Sequence, residues 1–400
     1  MLRFLTAGES HGKGLVAIID NFPAGVKIDE DFINVKLRLR QSGYGRGARQ
    51  KIETDKIEFL SGVRGGLTTG SPISFFIKNK DYENWRDRMD VFRPVPEESK
   101  IHTPRPGHAD FAGSIKFGLD DIRNVLERSS ARETASRVAV GAICQILLKN
   151  FGIEFASAAL SIGTETGTDF PIFSIDLFDE IIMRNIENSE LRMPYPELEE
   201  KTKELIDKMK AEGDTVGGLI TAQVKGVPVG LGSFTQWDEK LDAHIAMSIM
   251  SVQAIKSVEI GAGVKSAYLK GSECHDSIYY SDNTEKSGHE KKRGFYRKTD
   301  NAGGIEGGMS NGEMISVTCA MKPIPTLMKP YLDTVDLKTG EAKKAFLERS
   351  DVCAVPAASI VVESALAFSI CCFFLKKFGG DGLDEIKRNY DGYIKNETGN

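Results

Sequence analysis

Paired cysteines are missing from this sequence. Cys144, Cys274, Cys319, Cys353, Cys371 and Cys372 form no C-x-x-C spacing in 400 residues, which excludes a disulfide scaffold and predicts a reducing, cytoplasmic setting. An excess of positive charge is missing too. A net charge of −5 lacks the basic footprint of a general nucleic-acid binder, so any anion site has to be local. No basic segment followed by an apolar one begins the chain, which predicts no signal peptide. One apolar run, residues 354–375, has the length of a membrane span, but Glu363 near its middle would cost roughly 2.5–3.5 kcal/mol at bilayer depth. Pro356 at its start and Gly379-Gly380 at its end mark it as a buried helix of a large core, with no membrane role.

Several ligand signatures are also lacking. No G-x-G-x-x-G opens a helix, which argues against a nicotinamide site of the Rossmann kind. A phosphate loop ending at Gly12-Lys13 would need Gly where Ala7 stands and Ser or Thr where Gly14 stands. His289-Glu290 has no second His at zincin spacing, and Cys274-His275-Asp276 has no partner pair, so no metal is expected.

No linker rich in Pro, Ser or Gly divides the chain, and strand-like and helix-like stretches stay mixed throughout. One α+β domain over residues 1–400 is therefore expected. Strands are predicted at 3–7, 15–19, 73–77, 153–162, 219–229 and 314–321, where apolar residues alternate or β-branched ones cluster. Helices are predicted at 29–41, 130–150, 198–211 and 354–375. Residues 282–300, polar and basic, read as a loop. An internal repeat is visible in the glycines: "GVRGGLTTGSPIS" (62–74) aligns with "GIEGGMSNGEMIS" (304–316). The identities are Gly62/Gly304, Gly65/Gly307, Gly66/Gly308, Gly70/Gly312, Ile73/Ile315 and Ser74/Ser316. Glycine marks positions of positive φ or close approach, so the two segments predict equivalent turn-into-strand units related by a pseudo-twofold axis, with Ile73 and Ile315 buried at matching places.

The chemistry-bearing stretches are local and cationic. "GESHG" (8–12) matches the G-x-S-x-G pattern of a hydrolase nucleophile elbow, but an elbow needs a strand running into a helix, and both flanks here read as strands. The same loop holds Ser10 and His11 side by side between glycines. "KLRLRQSGYGRGARQK" (36–51) carries six cations and no acid. It suits a small anionic ligand through guanidinium forks and backbone amides, or RNA through an Arg-Gly arm. "ERSSARETASRVAVGAI" contains a capping box, Ser130 to Glu133, opening a helix whose free amides stand beside Arg128 and Arg132. "RPGHAD" places His108 after a Pro-Gly turn, "KPIPT" (322–326) is a rigid loop after a strand, and "RSD" (349–351) offers a guanidinium and a carboxylate.

Together with "RQSGYGRGARQKIETD", "LSGVRGGLTTGSPI", "QAIKSVEIG", "NAGGIEGGMSNG" and "RSDVCAVPAAS", these blocks closely resemble the chorismate synthase family, in the family's order. The likeness departs at Asn21, Leu39, Ser42 and Val352, and Leu39 thins the arginine cluster. The resemblance implies one layered β-α-β sandwich domain, cytoplasmic and homotetrameric. It implies conversion of 5-enolpyruvylshikimate 3-phosphate to chorismate and phosphate by anti-1,4-elimination, the last step of the shikimate pathway. The cofactor would be reduced FMN from an external source, since a monofunctional chain has no further domain to reduce it. By resemblance Arg40, Arg46, Arg49, Arg105 and Arg132 face the substrate. Arg128, Ser129, Ser130, Gln253, Ala254, Gly307, Lys322, Pro323, Ile324, Pro325, Thr326 and Arg349 form the FMN site. His11 would give a proton to the departing phosphate, His108 would serve the flavin, and Ser10 with Asp351 would relay the proton that leaves the substrate. On that view Ser10 is no nucleophile.

Overall fold

A computed structural model describes residues 1–47, 53–163, 175–281, 294–345 and 350–398. Arg49, Arg349 and most of the basic stretch 282–300 lie outside the described residues.

Two four-stranded antiparallel sheets carry the fold. The first contains β1 (Arg3–Ala7), β2 (Gly14–Asp20), β3 (Glu58–Ser61) and β4 (Ile73–Lys78), in the spatial order β1-β2-β4-β3. The second contains β5 (Glu154–Ile162), β6 (Gly218–Lys225), β7 (Ile255–Ile260) and β8 (Ile315–Met321), ordered β5-β6-β8-β7. The two orders are the same when each half is counted from its own first strand. On the inner faces the pleat alternates as a half-buried strand should: Leu15, Ala17 and Ile19 with Ile73, Phe75 and Ile77 in one sheet, Ile220, Ala222 and Val224 with Ile315, Val317 and Cys319 in the other.

Helices fill the space between the sheets and also flank them. The larger ones are α1 (Glu30–Gln41), α2 (Asp110–Phe117), α3 (Arg123–Ser129), α4 (Thr134–Lys149), α5 (Glu180–Asn188), α6 (Glu199–Glu212), α7 (Leu241–Met250), α8 (Val355–Phe378) and α9 (Leu383–Thr398). Asp29 caps α1 by accepting from the Phe32 amide at 2.9 Å, with Glu30 and Asp31 in the first turn, so the cap and the helix dipole favour the same start. α4 packs on α1, α8, β2 and β5, and α8 packs on β5, β6, α1, α4 and α7. Phe368 of α8 meets Phe4 of β1 edge-on at 4.8 Å. The result is a sheet–helix–sheet sandwich with one large core and a smaller cluster around Ala158, Leu160, Leu177 and Ile186. α8 passes for a membrane span by length and composition, but 89% of its most apolar stretch is buried inside the protein. Glu363 within it is 1% exposed and holds Lys36, Gln145 (3.0 Å) and Ser157 (2.8 Å). Burial alone would raise its pKa, but the Lys36 ion pair and hydrogen bond prevail and lower it.

The repeat is structural. Gly62 and Gly304 have φ of 80° and 78°, Gly65 and Gly307 of 60° and 61°, Gly66 and Gly308 of 78° and 84°, Gly70 and Gly312 of 79° and 86°. Val63↔Thr68 and Ile305↔Ser310 close matching two-residue ribbons, and Ile73 and Ile315 are both fully buried. The likeness extends beyond the aligned glycines. Thr68 Oγ1 donates to the Pro23 carbonyl at 2.6 Å and accepts from the Val26 amide at 2.9 Å. Ser310 Oγ treats Pro228 (2.6 Å) and the Leu231 amide (2.8 Å) in the same way. Asn21, at φ 63°, stands where the second half has Gly226 at φ 79°; asparagine is the non-glycine residue that most readily visits this region.

Two expectations need correction. The predicted helix over 130–150 is split: Ser130 caps a short 3-10 turn, Ala131–Glu133, by accepting from the Arg132 amide at 3.3 Å, and α4 starts at Thr134. The Glu133 carboxylate does not complete a capping box, because Thr6, Arg137 and Gln253 bind it. The strand predicted to run to residue 229 ends at Lys225, since Gly226 turns the chain at positive φ.

Candidate active site

The hairpin between β1 and β2 is "GESHG", so Ser10 sits in a strand–loop–strand setting without the helix a nucleophile elbow requires. At Gly8, with φ 108°, an added Cβ would lie 2.3 Å from the Gly14 carbonyl oxygen; the loop is tight at its neck. Its carbonyls are gathered by one buried side chain. Asn79 Nδ2 donates to the oxygens of Glu9 (3.1 Å), Ser10 (3.1 Å) and Gly12 (2.9 Å), and Asn79 Oδ1 accepts from Arg132 Nε at 2.8 Å. The loop is thus tied to Arg132, one of the predicted substrate arginines.

Glu127 of α3 secures the opposite side. Its backbone carbonyl accepts from the Ser10 amide at 3.0 Å, Oε2 accepts from the His11 amide at 2.7 Å, and Oε1 lies 2.8 Å from His11 Nδ1 and 3.0 Å from Arg123 Nη1. Burial would push the Glu127 carboxyl up, but the hydrogen bond and charge of His11 hold it below the ordinary range. The Ser130 hydroxyl donates to Ser10 Oγ at 3.2 Å.

Beside this loop, three guanidiniums are buried together. Arg132 Nη1 pairs with Asp55 at 2.7 Å, and Arg40 Nη1 reaches the same carboxylate oxygen at 3.4 Å. Arg46 Nη1 pairs with Asp351 Oδ2 at 2.8 Å, while Asp351 Oδ1 accepts from the Gly47 amide at 2.6 Å. Burial, followed by the charges of Arg132 and Arg46, outweighs Asp55 and Asp351 and lowers Arg40 to about 10. The cluster is not saturated. Among the described residues, Arg46 Nε and Arg132 Nη2 are buried with no hydrogen-bond partner. Such donors are costly unless something accepts from them, and the acceptor they fit is an anionic oxygen.

A second centre forms around "RPGHAD". Asp110, the first residue of α2, is fully buried and accepts from the Arg105 amide (3.1 Å), Arg105 Nε (2.8 Å) and His108 Nδ1 (2.5 Å). Burial opposes ionisation there, yet the His108 and Arg105 hydrogen bonds hold its carboxyl well below the usual value. Arg105 Nη1 donates to Thr326 Oγ1 at 2.8 Å, and Lys322 Nζ to the Gly107 carbonyl, so the "KPIPT" loop is fastened to the His108 loop. A cleft of about 390 Å³ opens here, lined by Arg105, His108, Phe111 and Val335.

Hydrogen bonds join the two centres. Arg128 Nη2 donates to the Thr6 carbonyl at 2.9 Å, Thr6 Oγ1 to Glu133 at 2.8 Å, and Gln253 Nε2 to Glu133 at 3.2 Å. The next residue, Ala254, has φ 69° and accepts from the Lys322 amide at 2.9 Å. Among the described residues, Gln253 Oε1 is buried without a hydrogen-bond partner, an acceptor free for a ligand's N–H. At Gly307, on its ribbon, an added Cβ would meet nothing within 4 Å. Ser129 Oγ turns back to the Val125 carbonyl at 2.7 Å and holds its own helix. Glu127, Asn79, Asp55, Asp110 and Trp85 received no role from the sequence. Glu127 and Asp110 lie inside blocks already singled out, but only the fold shows that each meets a histidine.

Comparisons with known proteins place the chain in a family. The family model described as chorismate synthase matches residues 2–375. A chorismate synthase from a Sulfurihydrogenibium species is 53% identical over 394 residues, covering 98% of both chains. Another from Alkaliphilus metalliredigens is 53% identical over 393 residues, covering 98% of this chain and 99% of its own. A crystal structure of chorismate synthase superposes with a TM-score of 0.79 at 40% identity, covering 100% of this chain and 99% of that one. With a matching family model, close relatives over nearly its whole length and the same fold, the chain belongs to the chorismate synthase family.

Proposed function

We propose that the protein converts 5-enolpyruvylshikimate 3-phosphate to chorismate and phosphate by anti-1,4-elimination, the last step of the shikimate pathway, with reduced FMN bound beside the substrate. The observation that carries this reading is a pair of buried donors that make no hydrogen bond among the described residues, Arg46 Nε and Arg132 Nη2, the latter 3.8 Å from Glu53 Oε2, close to a histidine loop. A substrate with one phosphate and two carboxylates supplies the acceptors they lack. Arg40, Arg46, Arg132 and Arg105, with Arg49, bind and orient it. His11 gives a proton to the phosphate oxygen as the carbon–oxygen bond breaks, which lowers the barrier to its departure. Ser10 and Asp351 move the proton lost from the substrate.

Reduced FMN, when bound, supplies an electron-rich ring that assists the elimination without net redox change. Arg128, Ser130, Gln253, Ala254, Gly307, Lys322 to Thr326 and Arg349 hold it, and His108 faces it. The chain acts as one domain and takes its reduced flavin from elsewhere. The outer face of the first sheet exposes Leu5 (71%), Ile18 (42%) and Leu60 (58%), which suits burial against a neighbouring copy in a homotetramer. An anaerobic assay of the enolpyruvyl substrate tests the reading: turnover is expected with dithionite-reduced FMN and not with oxidised FMN plus NADPH. No turnover with reduced FMN sinks the proposed activity, and turnover with NADPH alone as reductant sinks the monofunctional reading.

A further inference from the structure

His11 is built into its loop by more than one neighbour. Its ring stacks on Trp85 with centroids 4.0 Å apart and planes at 29°, and Arg123 lies over the same indole at 4.9 Å. Glu127 takes both the His11 amide (2.7 Å) and Nδ1 (2.8 Å). An ionised carboxylate only accepts hydrogen bonds, so the proton between these groups belongs to Nδ1. No hydrogen bond to Nε2 is made by the described residues, and the side chain keeps 11% of its surface open. The stacked indole sets the plane of the ring, and the carboxylate sets its rotation and its tautomer.

Resting on the reading of His11 as proton donor, we propose that Glu127 is the positioning residue of His11: it confines the fixed proton to Nδ1, leaving Nε2 as the atom that hands a proton to the departing phosphate, with Trp85 as the wall that keeps the ring in plane. Bond-making is simple in this step. His11 enters it as the doubly protonated imidazolium; its Nε2–H bond breaks as an O–H bond forms on phosphate, leaving the neutral ring with the Nδ1–H···Glu127 bond retained. Glu127 touches no substrate atom. It acts through His11, in the way an orienting carboxylate acts through a histidine whose other nitrogen does the chemistry.

The test uses the full chain in five forms: wild type, Glu127→Gln, Glu127→Ala, His11→Ala and the double variant His11→Ala/Glu127→Ala. Long-range proton–nitrogen NMR of histidine-labelled protein should show His11 protonated at Nδ1 in the wild type and shifted toward Nε2–H in both Glu127 variants. kcat should fall roughly 10²-fold in each, with KM and FMN affinity within about twofold. The double variant should be no slower than His11→Ala alone. Glu127→Gln keeps the shape of the side chain, so it reports even where the alanine variant folds poorly. An unchanged tautomer, near-normal kcat in the Glu127 variants, or a further loss in the double variant would overturn the positioning role. A fully active His11→Ala would instead sink the proton-donor reading itself, so the two failures are distinguishable.

Discussion

The two halves of the molecule share a backbone and differ in what is hung on it. In the first half β1 and β2 are joined by the six-residue reach of the "GESHG" hairpin between Ala7 and Gly14; in the second, β5 and β6 are joined by residues 163–217, which include α5 and α6. That long insertion covers the outer face of the second sheet, where Gln223, 1% exposed, receives the Leu177 amide at 2.9 Å and donates to the Ile175 carbonyl at 2.7 Å. Among the described residues the first sheet has no such cover, and its outer face shows Leu5 and Ile18 to the outside. The sites divide along the same line. Ser10, His11, Arg40 and Arg46 come from the first half, Gln253, Ala254, Gly307 and Lys322 from the second, and the link between halves brings Arg105, His108 and Arg132. Glycine punctuation preserves a scaffold through duplication, while loops between its strands are free to specialise.

Breaking the chemistry of the first half should have the largest effect. His11→Ala is expected to lower kcat roughly 10²-fold or more, with folding intact, as loss of a general acid does; steady-state kinetics and a thermal melt check both clauses. His108→Ala should do the same from the linking segment. Near-normal turnover in either variant reduces that histidine to a loop residue.

The scaffold itself is tested by paired glycines. An added Cβ would lie 2.6 Å from Ile73 Cα at Gly62 and 2.8 Å from Ile315 Cα at Gly304. Gly62→Ala and Gly304→Ala should therefore each cost about 2–4 kcal/mol, from left-handed strain and overpacking together. Gly65→Ala and Gly307→Ala, with nothing within 4 Å, should cost only about 1–2 kcal/mol, from conformation alone. Urea midpoints that differ between halves within either pair would break the equivalence.

Ligand affinities sharpen the division of labour. Arg46→Ala should weaken substrate about tenfold or more and leave FMN binding intact, and Arg349→Ala should do the reverse, since a charge-assisted hydrogen bond is worth roughly 1.5–3 kcal/mol. Titration calorimetry with each ligand decides it; equal losses for both ligands in one variant would show that the sites are not separate.

The smallest effect is on acid stability. Asp110 and Glu127 are both held below their ordinary values of 3.8 and 4.5. A depressed carboxyl contributes stability that is fully present above its unfolded value and is lost as pH falls through the folded one. Melting temperature should thus be flat near neutrality and drop below about pH 4.5, with a shallower drop in Asp110→Asn than in the wild type.

Much of the scaffold was legible because its signals are local. The Asp29 cap, the alternation in 73–77, the Pro and Gly that bracket α8 and the glycine repeat each depend on neighbours a few residues away. α2, α3, α5, α7 and α9 went unread. α7 is apolar nearly all round and gives no strong 3.6-residue stripe, and α3 runs into Ser130 where a capping signal suggested a beginning. Ser130 and Glu133 had the right spacing for a capping box, but Glu133 found stronger partners in Arg137, Thr6 and Gln253.

What the sequence determined by itself was the set of parts: which residues are apolar in which period, where glycine permits the chain to turn, and which short cationic and histidine-bearing stretches the chain contains. Tertiary structure alone decided their company. Glu127 stands 116 residues from His11, Asp351 lies 304 residues from Gly47, and Arg132 reaches Asn79 across 53. Separations of that size leave no mark in a local pattern, because a carboxylate meant for a distant histidine looks the same in sequence as one meant for water. Only when the core closes and removes the water does its partner become a matter of energy.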